Sequence, residues 1–218
     1  MNFKIANVQD IEKVLKLHFR YQVDSIKEED KKDGFVTTAF TKEQLADLIT
    51  QEQGLFIALD DYDEVIAYVM SASWQYWSRW PMFAFMIENL PNLEFLDQKL
   101  SVDNSYQYGP VCIDKTYRGT GVLEKIFDFA RENMAKRFPI LVTFINKINT
   151  RSYSAHTKKL KLEVIKEFTY NNNNYYELVY DTSESLIKRI WLFLLLENYL
   201  NYFLVINRSI YANILPLF

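Results

Sequence analysis

The chain has 218 residues, of which 49% are hydrophobic and 16% aromatic. That is enough for one sizeable core and far from the composition of a disordered segment. The net charge is -3, so no basic field marks nucleic acid as a partner, and Cys112 is the only cysteine, which excludes an internal disulfide and a cysteine-based zinc site.

Phe3 to Val8 alternates weakly and reads as a first strand. Asp10 to Tyr21 sets Ile11, Val14, Leu15, Leu17 and Phe19 at mostly helical spacing. Lys27 to Gly34 is a charge run closed by glycine, expected as a solvated loop. Thr41-Lys-Glu-Gln44 matches a capping box and opens a helix carrying Leu45, Leu48 and Ile49, which Gly54 ends. Leu55 to Leu59 and Val65 to Ser71 are apolar runs around Asp60 to Glu64, the pattern of a hairpin. Trp74 to Leu100 is rich in aromatics and prolines with no clean period, so a partly helical excursion is expected there.

Further along come a strand at Tyr106 to Asp114, a helix at Gly121 to Arg137 and a strand at Ile140 to Ile145. Thr150 to Lys161 reads as a helix, and Glu163 to Tyr170 and Tyr175 to Tyr180 as antiparallel strands joined by a turn at Asn171 to Asn174. There is no internal repeat. The pattern is one mixed α/β domain through residue 182. The first residues lack a basic region followed by an apolar run, so no signal peptide and a cytoplasmic, reducing location are expected. No metal site is expected.

The most informative stretch runs from Tyr108 to Leu123: a short apolar strand, then Arg118-Gly-Thr-Gly-Val-Leu123, then a helix. Gly119 and Gly121 let the backbone take positive φ and approach a ligand. The first N–H groups of a helix have no internal partner, so this order suits a phosphate. No Gly-Lys-Ser/Thr follows, which excludes a Walker phosphate loop, and the third glycine of a dinucleotide fingerprint is absent.

This segment resembles the GCN5-related N-acetyltransferase (GNAT) family, whose signature is Arg/Gln-x-x-Gly-x-Gly/Ala. Arg118 and Gly121 fill the first two fixed positions, whereas Leu123 departs from the last. Downstream, Asn149-Thr-Arg-Ser152, His156 and Lys159-Leu-Lys-Leu162 resemble the family's Asn-x-x-Ala/Ser, Tyr, Lys-Leu-Gly-Phe run. His156 stands there for the tyrosine, and Lys161 and Leu162 for glycine and phenylalanine. The order of elements from residue 3 to 180 is similar to the family's as well.

The resemblance implies a central mixed, mostly antiparallel sheet with flanking helices and two strands splayed around acetyl-CoA, the co-substrate. Its pyrophosphate would sit on the backbone of Arg118, Gly119, Thr120, Gly121, Val122 and Leu123. Its pantetheine would pair with Val111, Cys112 and Ile113, where a backbone N–H would polarise the thioester carbonyl. Asn149 and Ser152 would contact the cofactor, although Asn149 also fits a helix N-cap. His156 and Tyr153 are the candidate proton donors; at i, i+3 they share one helical face. Cys112, between Val111 and Ile113, reads as a small buried filler rather than a nucleophile.

The implied reaction is acetyl transfer to a primary amine, on a small molecule or a peptide, by direct attack in a ternary complex. A second reading is a non-catalytic acyl-CoA-binding module, and a third a purely structural α/β protein. For the acceptor, Asp33-Gly-Phe35 and the cluster Trp74, Tyr76, Trp77, Trp80 and Phe83 are read either as walls near one end of the gap or as packing of outer helices. His18 carries no implied role. The tail, 183–218, is strongly apolar and expected to be helical, but its uncharged stretches reach only ten residues, short of the ~20 that span a bilayer. A docking or homodimerising helix is expected.

Overall fold

The computed structural model of the protein describes residues 1–29 and 34–190, and Met1–Ser183 form one compact unit by their internal contacts. Its strands are β1 (Asn2–Ile5), β2 (Leu55–Leu59), β3 (Val65–Ala72), β4 (Glu94–Phe95), β5 (Gln98–Lys99), β6 (Ser105–Ile113), β7 (Ile140–Asn146), β8 (Glu163–Tyr170) and β9 (Asn173–Asp181). The helices are α1 (Ile11–Tyr21), α2 (Lys42–Glu52), α3 (Trp74–Trp77), α4 (Pro81–Asn89), α5 (Val122–Met134) and α6 (Thr150–Ser154). Seven strands form one sheet in the order β1-β2-β3-β6-β7-β9-β8, while β4 and β5 make a separate small hairpin. Every pairing in the large sheet is antiparallel except β6 with β7.

Both faces of the sheet are covered, which is why β2 and β3 are buried at every position and read as unbroken apolar runs rather than alternating ones. On one face Leu55, Ile57, Tyr68, Met70 and Ala72 meet Val14, Leu15 and Leu17 of α1 and Leu45, Leu48 and Ile49 of α2. Farther along the same face Trp74, Met86 and Leu90 lie on Ile140, Val142 and Val179. The opposite face takes α5, whose Phe127 meets Tyr108 and Tyr180 edge-on and whose Phe129 meets Phe56. Fully burying one such ring contributes roughly 2–3 kcal/mol.

Local chemistry sets the element ends. Thr41 and Gln44 close the capping box of α2 with reciprocal bonds of 3.2 and 3.0 Å. The Asn171-Asn172 turn of the β8–β9 hairpin puts both residues at positive φ, 45° and 59°, a conformation asparagine tolerates better than most residues.

Four expectations need correction. The first strand ends at Ile5, because Asn7 caps a 3-10 turn over Val8–Asp10 through a capping box with Asp10. The helix expected over 121–137 stops at Met134. The turn expected at 171–174 is two residues, with Asn173 and Asn174 already paired in β9. The helix expected over 150–161 is one α turn followed by a π turn, Ala155–Lys159, in which Leu160 N–H reaches back five residues to Ala155 O. Lys161 then takes positive φ, 63°, and the chain leaves for β8.

Residues 186–190 are helical; the expectation of a docking helix over 183–218 otherwise falls on 191–218, outside the described residues. No helix among the described residues is long and apolar enough to cross a membrane.

Candidate functional site

Strands β6 and β7 pair only at their starts, Ser105 with Ile140, Tyr106 with Leu141 and Gln107 with Val142. Beyond that they part. The cause lies in β6, where the register against β3 slips between Val69–Val111 and Ser71–Tyr108, so that β6 carries one extra residue. Gly109 takes φ +107° there and is joined to Pro110 by a cis bond. A bulge bends its strand, and a proline has no N–H to offer a neighbour. At the apex the Tyr108 carbonyl, left without a strand partner, accepts from Thr143 Oγ1 and Gln107 Nε2, each at 2.7 Å.

Past the bulge β6 pairs with β3 alone. Asp114 N–H donates to Ile66 O at 2.8 Å, and the alternation of a strand turns the amides of Ile113 and Val111 the other way, toward the gap. The Ile113 carbonyl confirms that direction by accepting from Arg118 Nε at 3.0 Å.

The mouth of the gap is the turn before α5. Asp114 caps a 3-10 turn, Lys115–Tyr117, by accepting from Thr116 N–H and Oγ1, and it pairs with Arg20. Tyr21 Oη accepts from Lys115 N–H at 2.8 Å, and the Arg118 guanidinium lies 5.1 Å from the Tyr21 ring centre. Gly119 and Gly121 follow at φ +84° and +83°, with nothing within 4 Å of a Cβ at either. Glycine is therefore needed for backbone conformation, not for room. Gly121 caps α5 with no side chain over the helix start, and the first amides of α5 stand open with the positive end of its dipole.

The gap is a cavity of about 830 Å³, of the size that takes one small molecule. Val111, Cys112, Ile113, Arg118, Gly119, Leu123, Asn149, Ser152 and His156 all line it. Thr120, Gly121 and Val122 do not: Thr120 Oγ1 turns back to Tyr117 O at 2.7 Å, and Val122 is buried in the core. Tyr153 does not either; its ring packs on Tyr176 of β9 with centres 4.5 Å apart. Asn149 caps α6 through Ser152 N–H, 3.0 Å, while it lines the gap.

Sequence reading passed over Gln107, Tyr108, Thr143 and Lys158, which also line the cavity. Gln107 Oε1 and Tyr108 Oη are buried without partners. No periodicity marks such groups, because β6 and β7 bring them together across more than thirty residues of chain. Trp77, Trp80 and Phe83 line the gap, as do Gly34 and Phe35, whereas Asp33 lies outside the described residues. Trp74 and Tyr76 belong to the core instead, donating to Ser105 Oγ and Gln44 O, each at 2.9 Å.

Three buried groups have their protonation set by surroundings. His156 Nδ1 lies 2.8 Å from Ser152 O; a carbonyl only accepts, so Nδ1 carries the proton and Nε2 the lone pair. Burial lowers the His156 value, only partly offset by that bond, so the ring is neutral at pH 7. The Cys112 thiol is pushed up to about 12, chiefly by burial, and is no nucleophile. His18, fully buried, is held down to about 4 by burial. It accepts from Phe40 N–H at 3.5 Å and meets Tyr68 Oη at 2.7 Å, clamping α1 to the segment ahead of α2.

No family model matches the chain, and no curated protein matches it. Solved structures do. An N-acetyltransferase of Staphylococcus aureus is 14% identical with a TM-score of 0.53, covering 83% of this chain and 98% of that one. The ribosomal-protein-alanine N-acetyltransferase of Brucella melitensis is 12% identical with a TM-score of 0.54, covering 83% and 99%. A Salmonella typhimurium protein solved with its cofactor acetyl-CoA is 10% identical with a TM-score of 0.55, covering 84% and 95%. The chain has the GNAT fold; at these identities the likeness speaks for the fold alone.

Proposed function

We propose that the protein binds acetyl-CoA in the gap between β6 and β7 and transfers its acetyl group to a primary amine in a ternary complex. The observation that carries this reading is the splay itself: free amides on one edge of β6 lead to an open helix start preceded by a glycine turn. The residues suit the ligand. Cationic side chains of Arg118, Arg151, Lys158 and Lys159 line the cavity, and polyphosphate needs both charge and exposed N–H groups. That several solved neighbours are acetyltransferases, one of them with acetyl-CoA, adds to the reading.

Acetyl-CoA supplies the activated acyl group. The chain holds the thioester carbonyl on the amides of Val111 and Ile113, where developing negative charge meets fixed N–H dipoles. The amine nitrogen forms the new C–N bond as the C–S bond breaks, and one amine proton must leave while the thiolate gains one. Neutral His156, with its lone pair at Nε2, is built to take a proton. Tyr108, whose value burial raises well above that of a free phenol, keeps its O–H and can only give one. Approach alone contributes several kcal/mol.

Thiol release from acetyl-CoA with a panel of amines tests this. Turnover with at least one amine is expected, falling on the order of a hundredfold in His156→Ala. Binding of acetyl-CoA without turnover for any amine would instead favour the acyl-CoA-binding module.

A further inference from the structure

The arm of the cavity away from the phosphate turn is walled by rings. Phe40 meets Trp80 at 5.9 Å, Trp80 meets Trp77 at 5.3 Å, Trp77 meets Phe83 at 4.9 Å, and Phe83 meets Phe144 at 5.7 Å. These contacts form one run from the segment before α2, across α3 and α4, to the gap edge of β7. Phe40 and Trp77 are packed into the core, but Trp80, Phe83 and Phe144 are only half-buried. All five line the cavity. The arm is therefore continuous with the unpaired edge of β6, and apolar ring surface is what it offers a ligand.

Such rings could cradle a cation or stack on another ring, and charge decides between these. Arg79 is not part of the lining: it lies 5.6 Å from the Trp80 ring centre and is paired with Asp47 at 3.1 Å. Arg118, Arg151, Lys158 and Lys159 do line the cavity. Glu124, also in the lining, is drawn toward one of them, Lys159, at 3.6 Å. Among the described residues Glu124 is the only carboxylate in the lining, so a polycation would enter with its charges unpaired, whereas a single amine on a large apolar ring brings only one.

We infer that the acceptor is a monoamine carried on an aromatic body, stacked among Phe40, Trp80, Phe83 and Phe144 with its amine directed at the free edge of β6. The direction of the amine rests on the acetyl-transfer reading; the ring-binding arm does not. Trp80 is then a specificity residue, and Trp80→Phe keeps what Trp80→Ala removes.

Calorimetric titration with 2-phenylethylamine and with spermidine, on protein saturated with CoA, tests the inference independently of turnover. We expect 2-phenylethylamine to bind at least tenfold more tightly than spermidine. In Trp80→Ala that affinity should fall at least tenfold, and in Trp80→Phe less than threefold, with circular dichroism confirming that both variants fold. Spermidine binding as tightly as 2-phenylethylamine, no measurable binding of 2-phenylethylamine, or an affinity unchanged in Trp80→Ala would each overturn it. Thiol release measured beside the titration separates the two readings. Ring-selective binding without release for any amine would remove acetyl transfer and leave the aromatic arm, whereas release with spermidine but not 2-phenylethylamine would do the reverse.

Discussion

Glu177 is a carboxyl in the wrong solvent. It sits on β9 opposite Phe144 of β7 and Lys166 of β8, 2% exposed, and its Oε1 has no partner. Burial pushes it up to about 7, with the Lys166 charge pulling the other way. The folded value lies above the unfolded one, so the fold prefers the protonated form. The stability this contributes is whole below about pH 4.5 and is lost as pH rises through 7. A rise from 4.5 to about 7 corresponds to roughly 3 kcal/mol. Glu177→Gln keeps the shape and discards the charge, so at pH 8 it should be more stable than the parent by ~2–3 kcal/mol, with the difference shrinking toward pH 5. Urea unfolding at both pH values measures this; a difference equal at the two would show that the carboxylate is satisfied. His156 shifts in the opposite sense. Burial depresses it, so it remains a neutral base below the ordinary histidine range, and the acidic limb of kcat/KM should fall below pH 6.5. A limb at or above 6.5 that disappears in His156→Gln would contradict the buried, neutral ring.

At the scale of elements, two glycines separate two physical reasons for the same residue. Gly54 follows α2, where a Cβ would stand 1.8 Å from the Ser71 carbonyl oxygen, a backbone atom whose own amide donates to Gly54 O at 2.7 Å. Nothing there can yield cheaply, so Gly54→Ala should cost about 3 kcal/mol or more and lower Tm by roughly 6–12 °C in a chain of this size. Gly121 has open space around a Cβ but sits at φ +83°, so Gly121→Ala should cost only ~1–2 kcal/mol. Its larger effect should fall on acetyl-CoA affinity, because the turn supports the open amides of α5. Differential scanning calorimetry of both variants ranks them, and a milder Gly54→Ala would mean the α2–β2 junction relaxes. Elements with a strong local signature were legible from sequence: the Thr41–Gln44 capping box, the hairpin around Asp60 to Glu64 and the turn before α5. The π turn at Ala155–Lys159 was not, since one extra residue in a helical turn leaves no mark on an apolar pattern this short. The π turn follows α6 and carries His156, and Tyr153 and His156, neighbours on an ideal helix, face Tyr176 and Tyr108 respectively.

At the scale of the molecule, a mixed, mostly antiparallel sheet with flanking helices was legible through the resemblance of the element succession to the GNAT family, whereas the depth of the gap was not. It depends on a bulge at Gly109 and Pro110 and on Gln107 and Thr143 meeting over one carbonyl, relations between strands that no local pattern encodes. The excursion from α3 to β5 was legible only as partly helical for a related reason: its rings are buried against different partners on several sides, so no single period survives. The consequence is a molecule whose two half-sheets, β1-β2-β3-β6 and β7-β9-β8, are held together by three register pairs and by the helices packed across them. A ligand that binds both edges of the gap ties the halves together in the folded state and has no site in the unfolded one. At a hundred times its Kd such a ligand adds about 2.7 kcal/mol, which here means a Tm rise of roughly 5–10 °C. Acetyl-CoA should produce that rise and ATP should not, because phosphate on the α5 turn would engage one edge only, whereas pantetheine placed along Val111 to Ile113, as proposed, would cross the gap. Arg118→Ala should reduce the acetyl-CoA rise by weakening the anchor at the mouth. Thermal scans over a ligand series decide the point: equal rises with ATP and acetyl-CoA would reduce the site to a phosphate turn, and no rise at millimolar acetyl-CoA would leave the gap without its proposed ligand.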